Sequence, residues 1–297
     1  MTSMGRVVSL DGVLTPPEQA SVSVFDRGFL YGDAVFEVLR TYGGRPFSLQ
    51  EHLARLRRSA DKVFIPVPVD EAILGREVEA ALAAAGNPES YVRIVLTRGS
   101  GPLSLDPDTA SHPLRVILVE PVTPPARELY VRGIALAVVH GRRVTDDTAA
   151  AGAKVTNYLP NLLALREAKG RGAQEALFVD AGGHVLEGAS SNVFVVAGGR
   201  VSTPPVAAGI LPGITRAHVL AAAAALGIPT DEQAVSLDEL LAADEVFVTS
   251  SIRELLPVVR VDDRVVGAGT PGAVARALHR RFREDVGMGG RPMPWEA

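Results

Sequence analysis

The chain has 297 residues, 30 lysines and arginines against 34 aspartates and glutamates, and a formal net charge of −4. At roughly 150 residues per domain that length points to two domains, and 47% hydrophobic with 22% charged residues is ordinary globular composition. The acidic balance excludes the bulk basicity of a nucleic-acid binder, and zero cysteines exclude disulfides and thiolate chemistry. With no apolar h-region near the N-terminus and no membrane-length apolar helix, a cytoplasmic protein without nucleic-acid or membrane partners is expected.

In chain order, Val7 to Leu10 and Val13-Leu14 predict a hairpin turned by Asp11-Gly12. Ala34 to Thr41 predicts a strand. Ser48 to Val63 takes up helical spacing, with Leu49, Leu53, Leu56 and Ala60 on one face and a capping box from Ser48 to Glu51. A second helix runs from Asp70 to Ala85, followed by strands at Tyr91 to Thr97 and Leu114 to Val119. The loop from Arg98 to Pro113 is long for a connection, and such loops are usually functional. Pro121 to Ala126 carries three prolines and no periodicity, which predicts an interdomain linker at residues 121–130. Domains are thus expected at 1–120 and 131–297. Beyond the linker come a strand at Ile134 to Val139, a helix at Leu159 to Lys169, and strands at Glu175 to Val179, Ser191 to Val196 and Arg200 to Thr203. A helix from Thr215 to Leu226, a short one from Ser236 to Ala242, a strand at Glu245 to Thr249 and a last helix from Pro271 to Arg283 complete the pattern. The tail from Gly287 to Ala297 is expected to be mobile. Strands mix with helices without regular alternation, which predicts an α+β fold rather than a doubly wound sheet.

Several residues stand out for their chemistry. Lys154 lies among small residues just before a helix, with Asn157 and Tyr158 close by. A lysine acts as a Schiff-base nucleophile only where burial or a neighbouring cation frees its amine; alone it reads as solvated surface. Glu187, between two strands, reads either as a turn carboxylate or as the acid that keeps a ring nitrogen protonated. Gly209 to Arg216 is a glycine-bearing loop feeding a helix, whose N-terminus offers N–H groups and partial positive charge to a phosphate. Thr249-Ser250-Ser251 ends an apolar strand, and Arg55 is expected on the helix face opposite Leu53 and Leu56. The six histidines are scattered and spell no metal site, and no G-x-S-x-G elbow or phosphate-binding P-loop occurs.

Taken together, DRGFLYGDAVFEVLR (Asp26 to Arg40), EHLARL (Glu51 to Leu56), KVTNYLPNLLALREA (Lys154 to Ala168), LEGASSNVFVV (Leu186 to Val196), GILPGITR (Gly209 to Arg216) and FVTSSIRELLPV (Phe247 to Val258) closely resemble the class IV aminotransferases. These are the fold-type IV pyridoxal phosphate enzymes, and the resemblance spans nearly the whole chain. It implies a smaller N-terminal α/β domain, a larger C-terminal pseudo-barrel domain carrying Lys154, and a homodimer whose sites take loops from the neighbouring subunit. It also implies that Lys154 forms the Schiff base with pyridoxal 5′-phosphate and shuttles the proton. Glu187 would pair with the pyridine nitrogen and Tyr158 with the phenolic oxygen, while Arg55, Ile214, Thr215 and Ser251 would hold the phosphate. Amino acids and 2-oxo acids would be the substrates, bound by Tyr31, Phe36, Arg40, Tyr91, Arg93 and Ser250.

The subfamily signals diverge. Phe36-Glu37-Val38-Leu39-Arg40 looks like the D-amino acid enzymes and Thr249-Ser250-Ser251 like the D-amino acid and lyase groups, yet Leu103-Ser104-Leu105 stands where the D-amino acid enzymes carry an Arg-x-His carboxylate trap. Tyr91-Val92-Arg93 and the Gly-x-Leu-x-Leu-Asp-Pro loop ending at Pro107 look like branched-chain enzymes. The expectation is a transaminase, D-amino-acid-like with a non-standard carboxylate site or branched-chain-like. A lyase of the aminodeoxychorismate type is the alternative.

Overall fold

A computed structural model describes residues 5–140 and 148–296. Two compact units are present: residues 5–123 with 148–158, and residues 124–140 with 159–296.

The first unit holds a six-stranded sheet in the order β2-β1-β6-β5-β3-β4. Its strands are β1 (Val7–Leu10), β2 (Val13–Thr15), β3 (Ala34–Tyr42), β4 (Arg45–Pro46), β5 (Ser90–Thr97) and β6 (Arg115–Pro121). Its helices are α1 (Arg27–Tyr31), α2 (Leu49–Lys62) and α3 (Glu71–Ala85). Asp11 and Gly12 both take positive φ, as a two-residue hairpin requires. Alternation along the strands sends Val35, Leu39, Val92, Ile94, Leu96, Ile117 and Val119 to one face, where Leu53, Leu56 and Ala60 of α2 and Leu74, Val78 and Ala81 of α3 cover them. Phe36, Val38 and Arg40 therefore stand on the opposite face. The expected capping box at Ser48 does not form. Ser48 has φ 48° and makes no side-chain cap bond, because a left-handed residue does not present its hydroxyl to the N3 amide as an extended N-cap does.

The segment with Lys154 packs in this first unit, although it follows the proline-rich stretch. Phe36 N donates to Lys154 O and Thr156 N to Ala34 O, each at 2.9 Å, and Val35 bridges Val155. The chain thus lies along β3 like a short extra strand.

The second unit begins with α4 (Arg127–Arg132), directly after the prolines, and continues with β7 (Ile134–His140), α5 (Leu159–Gly170), β8 (Glu175–Val179), β9 (Val185–Gly188), β10 (Asn192–Ala197) and β11 (Arg200–Thr203). Then come α6 (Ile214–Ala225), β12 (Thr230–Glu232), α7 (Leu237–Leu241), β13 (Glu245–Ser250), β14 (Glu254–Val261), β15 (Arg264–Val265) and α8 (Ala273–Asp285). The sheet order is β12-β11-β10-β13-β14-β7-β8-β9, with β15 on β14. In a flat sheet β9 and β10 would lie about 24 Å apart, five strand spacings of roughly 4.8 Å. The three residues 189–191 that join them reach about 14 Å at most. The sheet must therefore curl back on itself, which is the pseudo-barrel expected for this half of the chain. Branched side chains of β7, β8, β10, β13 and β14 fill one core under Leu240. Alanines 135, 137 and 176 face Ala164 and Ala168, so α5 approaches the sheet closely despite few aromatics.

The tail is not the loose end its composition suggests. Met288 and Met293 are buried, the Trp295 ring lies 5.2 Å from that of His279, and Arg280 pairs with Glu296 at 2.6 Å. An indole and two methionines bury enough apolar surface to hold the tail against α8.

Candidate active site

In the first unit the residues converge on the Phe36 ring. Lys154 Nζ sits 4.5 Å from its centroid and donates to Tyr158 Oη at 3.3 Å, while the Tyr158 ring meets Phe36 edge-on at 5.2 Å. The Arg93 guanidinium lies 4.0 Å from the same centroid. Register explains why: Val38 pairs with Arg93 and Arg40 with Tyr91, so the expected substrate positions on β3 and β5 share the face opposite the helices. Among the described residues Arg93 makes no ion pair or hydrogen bond, and its guanidinium rests on the Phe36 ring. Arg40 differs, with its guanidinium over Tyr42 at 4.5 Å and its Nε donating to Thr41 O at 3.3 Å. Tyr31 ends α1 beneath the Arg27 guanidinium, and its carbonyl accepts from Asn157 Nδ2 at 3.0 Å, three residues from Lys154. The Lys154 N–H donates to Ser59 Oγ at 3.1 Å, which fixes where the lysine leaves the backbone.

Arg55 is not on an outer face. It is 4% exposed, and its Nε and Nη2 donate to the two oxygens of Glu37 at 2.7 Å. His52 and Arg55 lie on the inner side of α2 because residues three and four apart share a helix face. Glu37 is an acid at a core position of β3, between Val35 and Leu39. Burial alone would raise its carboxyl, but the Arg55 guanidinium, with help from His52, holds it down to about 2. An ionised Glu37 only accepts, so His52 Nδ1, 2.7 Å away, is the protonated ring nitrogen. Burial pushes the His52 pKa down, partly opposed by Glu37. Neither Glu37 nor His52 was singled out from the sequence. The available signal was an acid alternating with core residues, facing a helix whose apolar side also carries His and Arg.

In the second unit Glu187 stands on β9 with its Oε2 accepting from Leu211 N at 3.0 Å and facing Asn192 Nδ2 at 3.5 Å. Asn192 also donates to Leu211 O at 2.9 Å, so one amide organises the strand carboxylate and the loop that leads to α6. That helix starts at Ile214 after Gly213, with no side-chain cap and no acid in its first turn. A Cβ on Gly213 would come 1.9 Å from Asn192 Oδ1, so glycine lets the loop pass without moving that side chain. Thr215 is buried in the first turn, and Ser250 and Ser251 lead from β13 into the turn before β14. Thr249 Oγ1 is buried with no hydrogen-bond partner among the described residues. Uncapped N–H groups and an orphaned buried hydroxyl are the donors a phosphate would satisfy. The residues present therefore fit a phosphorylated cofactor. The expected site residues fall into these two sets, Lys154, Tyr158, Arg55 and the β3–β5 face in one unit, Glu187, Ile214, Thr215, Ser250 and Ser251 in the other.

Among the described residues no cluster of His, Asp and Glu is arranged to hold a metal, and no helix is long and apolar enough to cross a membrane.

The amino-transferase class IV family pattern matches residues 34–261. A Methanocaldococcus jannaschii protein provisionally named a branched-chain-amino-acid aminotransferase is 37% identical over 93% of this chain and 95% of its own. The D-alanine aminotransferase of Bacillus licheniformis is 32% identical over 94% and 96%. The solved T.th. branched-chain amino acid aminotransferase with pyridoxamine 5′-phosphate superposes with a TM-score of 0.90 at 30% identity, covering 98% and 96% of the two chains. The chain belongs to the class IV aminotransferases, the pyridoxal 5′-phosphate enzymes that move an amino group between an amino acid and a 2-oxo acid.

Proposed function

We propose that this transaminase takes amino acids with apolar side chains, D-amino acids ahead of branched-chain L-amino acids, and that Arg93 holds their carboxylate. The observation that carries the reading is the shared Phe36 ring, with the Lys154 amine and the Arg93 guanidinium both against it. An anionic group seated on Arg93 would lie beside the lysine that moves the proton. The loop that would otherwise trap a carboxylate presents Leu103 and Leu105 to solvent. Its backbone carbonyls at Ser104, Leu105 and Asp106 are taken by the Arg27 guanidinium. Preference for the D series rests on Phe36-Glu37-Val38 and Thr249-Ser250-Ser251. The branched-chain reading is favoured by the Gly-Pro-Leu-Ser-Leu-Asp-Pro loop and by the Methanocaldococcus relative.

Pyridoxal 5′-phosphate, when bound, supplies the carbonyl that accepts an amino group and a ring that takes up negative charge from Cα. The chain's own residues do the rest. Lys154 Nζ would remove the Cα proton as general base and deliver it to C4′, the carbon of the cofactor's carbonyl, oriented by its bond to Tyr158 Oη. Glu187, fixed by Leu211 N, would hold a proton at the ring nitrogen. Arg55, Thr215, the Ile214 N–H and Ser251 would hold the phosphate. Tyr31, Arg40, Tyr91 and Ser250 complete the proposed substrate surroundings. Exposed Phe25, Phe29 and Leu103 in one unit, and Leu159, Leu162 and Leu163 on α5 in the other, support a homodimer, because exposed apolar clusters of this kind mark association surfaces. The cysteine-free sequence supports a cytoplasmic setting.

Mixing the holoenzyme separately with D- and L-amino acids and following the loss of its visible band tests the substrate reading. Bleaching by D-alanine and D-valine, abolished in Lys154→Ala and weakened for substrate but not cofactor in Arg93→Met, is expected. Bleaching by L-leucine and L-valine alone would establish the branched-chain reading, and pyruvate release without an amino acceptor would establish the lyase. Light scattering reads the dimer.

A further inference from the structure

Glu175 is the first residue of β8, and its side chain is fully buried. A carboxylate with no water around it needs donors, and its β8 neighbours are apolar. The donors come from two loops distant in sequence. Ser190 Oγ donates to Oε2 at 2.8 Å and Ser191 Oγ at 3.4 Å, both from the three-residue link between β9 and β10. Arg253 Nη1 makes an ion pair with the same oxygen, from the turn between β13 and β14. Ala176 N donates to the other oxygen at 3.1 Å.

The first of these loops begins two residues after Glu187, and the second begins at Ser251, directly after Ser250. Both are packed without slack. A Cβ on Gly188 would come 2.2 Å from Ser191 Oγ and 3.2 Å from Glu175 Cγ. Tyr130 Oη donates to Arg253 O at 3.0 Å, and Arg253 N donates to Ser250 Oγ at 3.4 Å, so the arginine is anchored at its backbone as well. A buried ion pair adds little net stability over an apolar replacement of equal volume. What it contributes here is direction, since hydroxyls of one loop and a guanidinium of the other meet on a single oxygen.

We propose that Glu175 and Arg253 are a positioning pair that sets the spacing between the Glu187 strand and the Ser250–Ser251 turn. That spacing fixes the separation at which the ring end and the phosphate end of the cofactor are held. The inference rests on the reading that Glu187 and Ser251 are cofactor ligands.

The test is equilibrium dialysis of the holoenzyme against graded pyridoxal 5′-phosphate, with melting midpoints measured alongside. Arg253→Met and Glu175→Gln are each expected to weaken cofactor binding by about tenfold or more. Arg253→Lys, which keeps one charged donor, should stay within about threefold of wild type. The double variant Glu175→Gln/Arg253→Met should bind no worse than the weaker single. Leu240→Ala, a cavity in the core of the same unit, should lower the midpoint and leave cofactor affinity unchanged. Wild-type affinity in both single variants would overturn the proposal, as would Leu240→Ala losing affinity in proportion to its midpoint. If the wild type itself retained no pyridoxal 5′-phosphate, the assignment of Glu187 and Ser251 would fall first.

Discussion

Replacing Glu37 with glutamine removes the counter-charge on which the Arg55 guanidinium rests. The carboxylate accepts from Arg55 Nε, Arg55 Nη2 and His52 Nδ1, each at 2.7 Å, at a position fully closed to solvent. Glutamine keeps the shape, but its amide nitrogen turns a donor toward groups that are themselves donors. A carboxyl held at about 2 instead of 4.5 favours its ionised form by about 3 kcal/mol at neutral pH. Removing one partner of a buried ion pair independently costs about 3–5 kcal/mol. For a unit of this size, that corresponds to a thermal midpoint lower by about 10–20 °C. Calorimetry on Glu37→Gln, Arg55→Met and the double variant measures it. The double variant should be more stable than Glu37→Gln, because the stranded cation leaves with its partner. A loss below about 1 kcal/mol in Glu37→Gln, or strictly additive losses, would refute the reasoning.

Glu187→Gln should retain pyridoxal 5′-phosphate but lose about 100-fold or more in turnover, as expected for a group that holds a proton during the reaction; near-normal turnover would contradict its assignment. Gly213→Ala must displace the Asn192 side chain that also supports Leu211 and faces Glu187, so cofactor affinity should fall while circular dichroism stays unchanged. Burial lowers the pKa of His52 and of His279 from 6.5, so below that pH the unfolded chain binds protons that the folded chain does not. Stability should therefore fall as pH drops through about 6.5, by up to roughly 2.7 kcal/mol per pH unit for two groups. The Glu37 contribution is lost further down, between 4.5 and about 2. A urea midpoint that is flat between pH 8 and 5 would contradict the histidine term.

Much of the fold follows from local pattern. Helical spacing places α2, α3, α6 and α8 to within a few residues, and alternation finds most strands, because each periodicity reports one buried face. Short elements such as α1 and β12 escape, since so few residues complete no period. The cap at Ser48 misleads for a related reason: the sequence motif is present, but the backbone enters the helix left-handed. Arg55 was expected outside because an arginine rarely occupies a core face. Glu37, fifteen residues from His52 and eighteen from Arg55, makes that position tolerable.

By itself the sequence determined the class of protein: two units, no cysteine, a lysine and an acid set in motifs strong enough to name the family and its cofactor. The tertiary structure decided which side chains meet. The β3–β5 register brings Phe36, Arg40, Tyr91 and Arg93 onto one face, and a one-residue slip would send them to the core. The packing of residues 154–156 along β3 places the Lys154 amine against the Phe36 ring, across more than a hundred residues of chain. The curl of the second sheet brings the Glu187 strand and the Ser250–Ser251 turn within reach of one buried carboxylate. Such pairings depend on long-range register and on burial, and no local period in a sequence carries either.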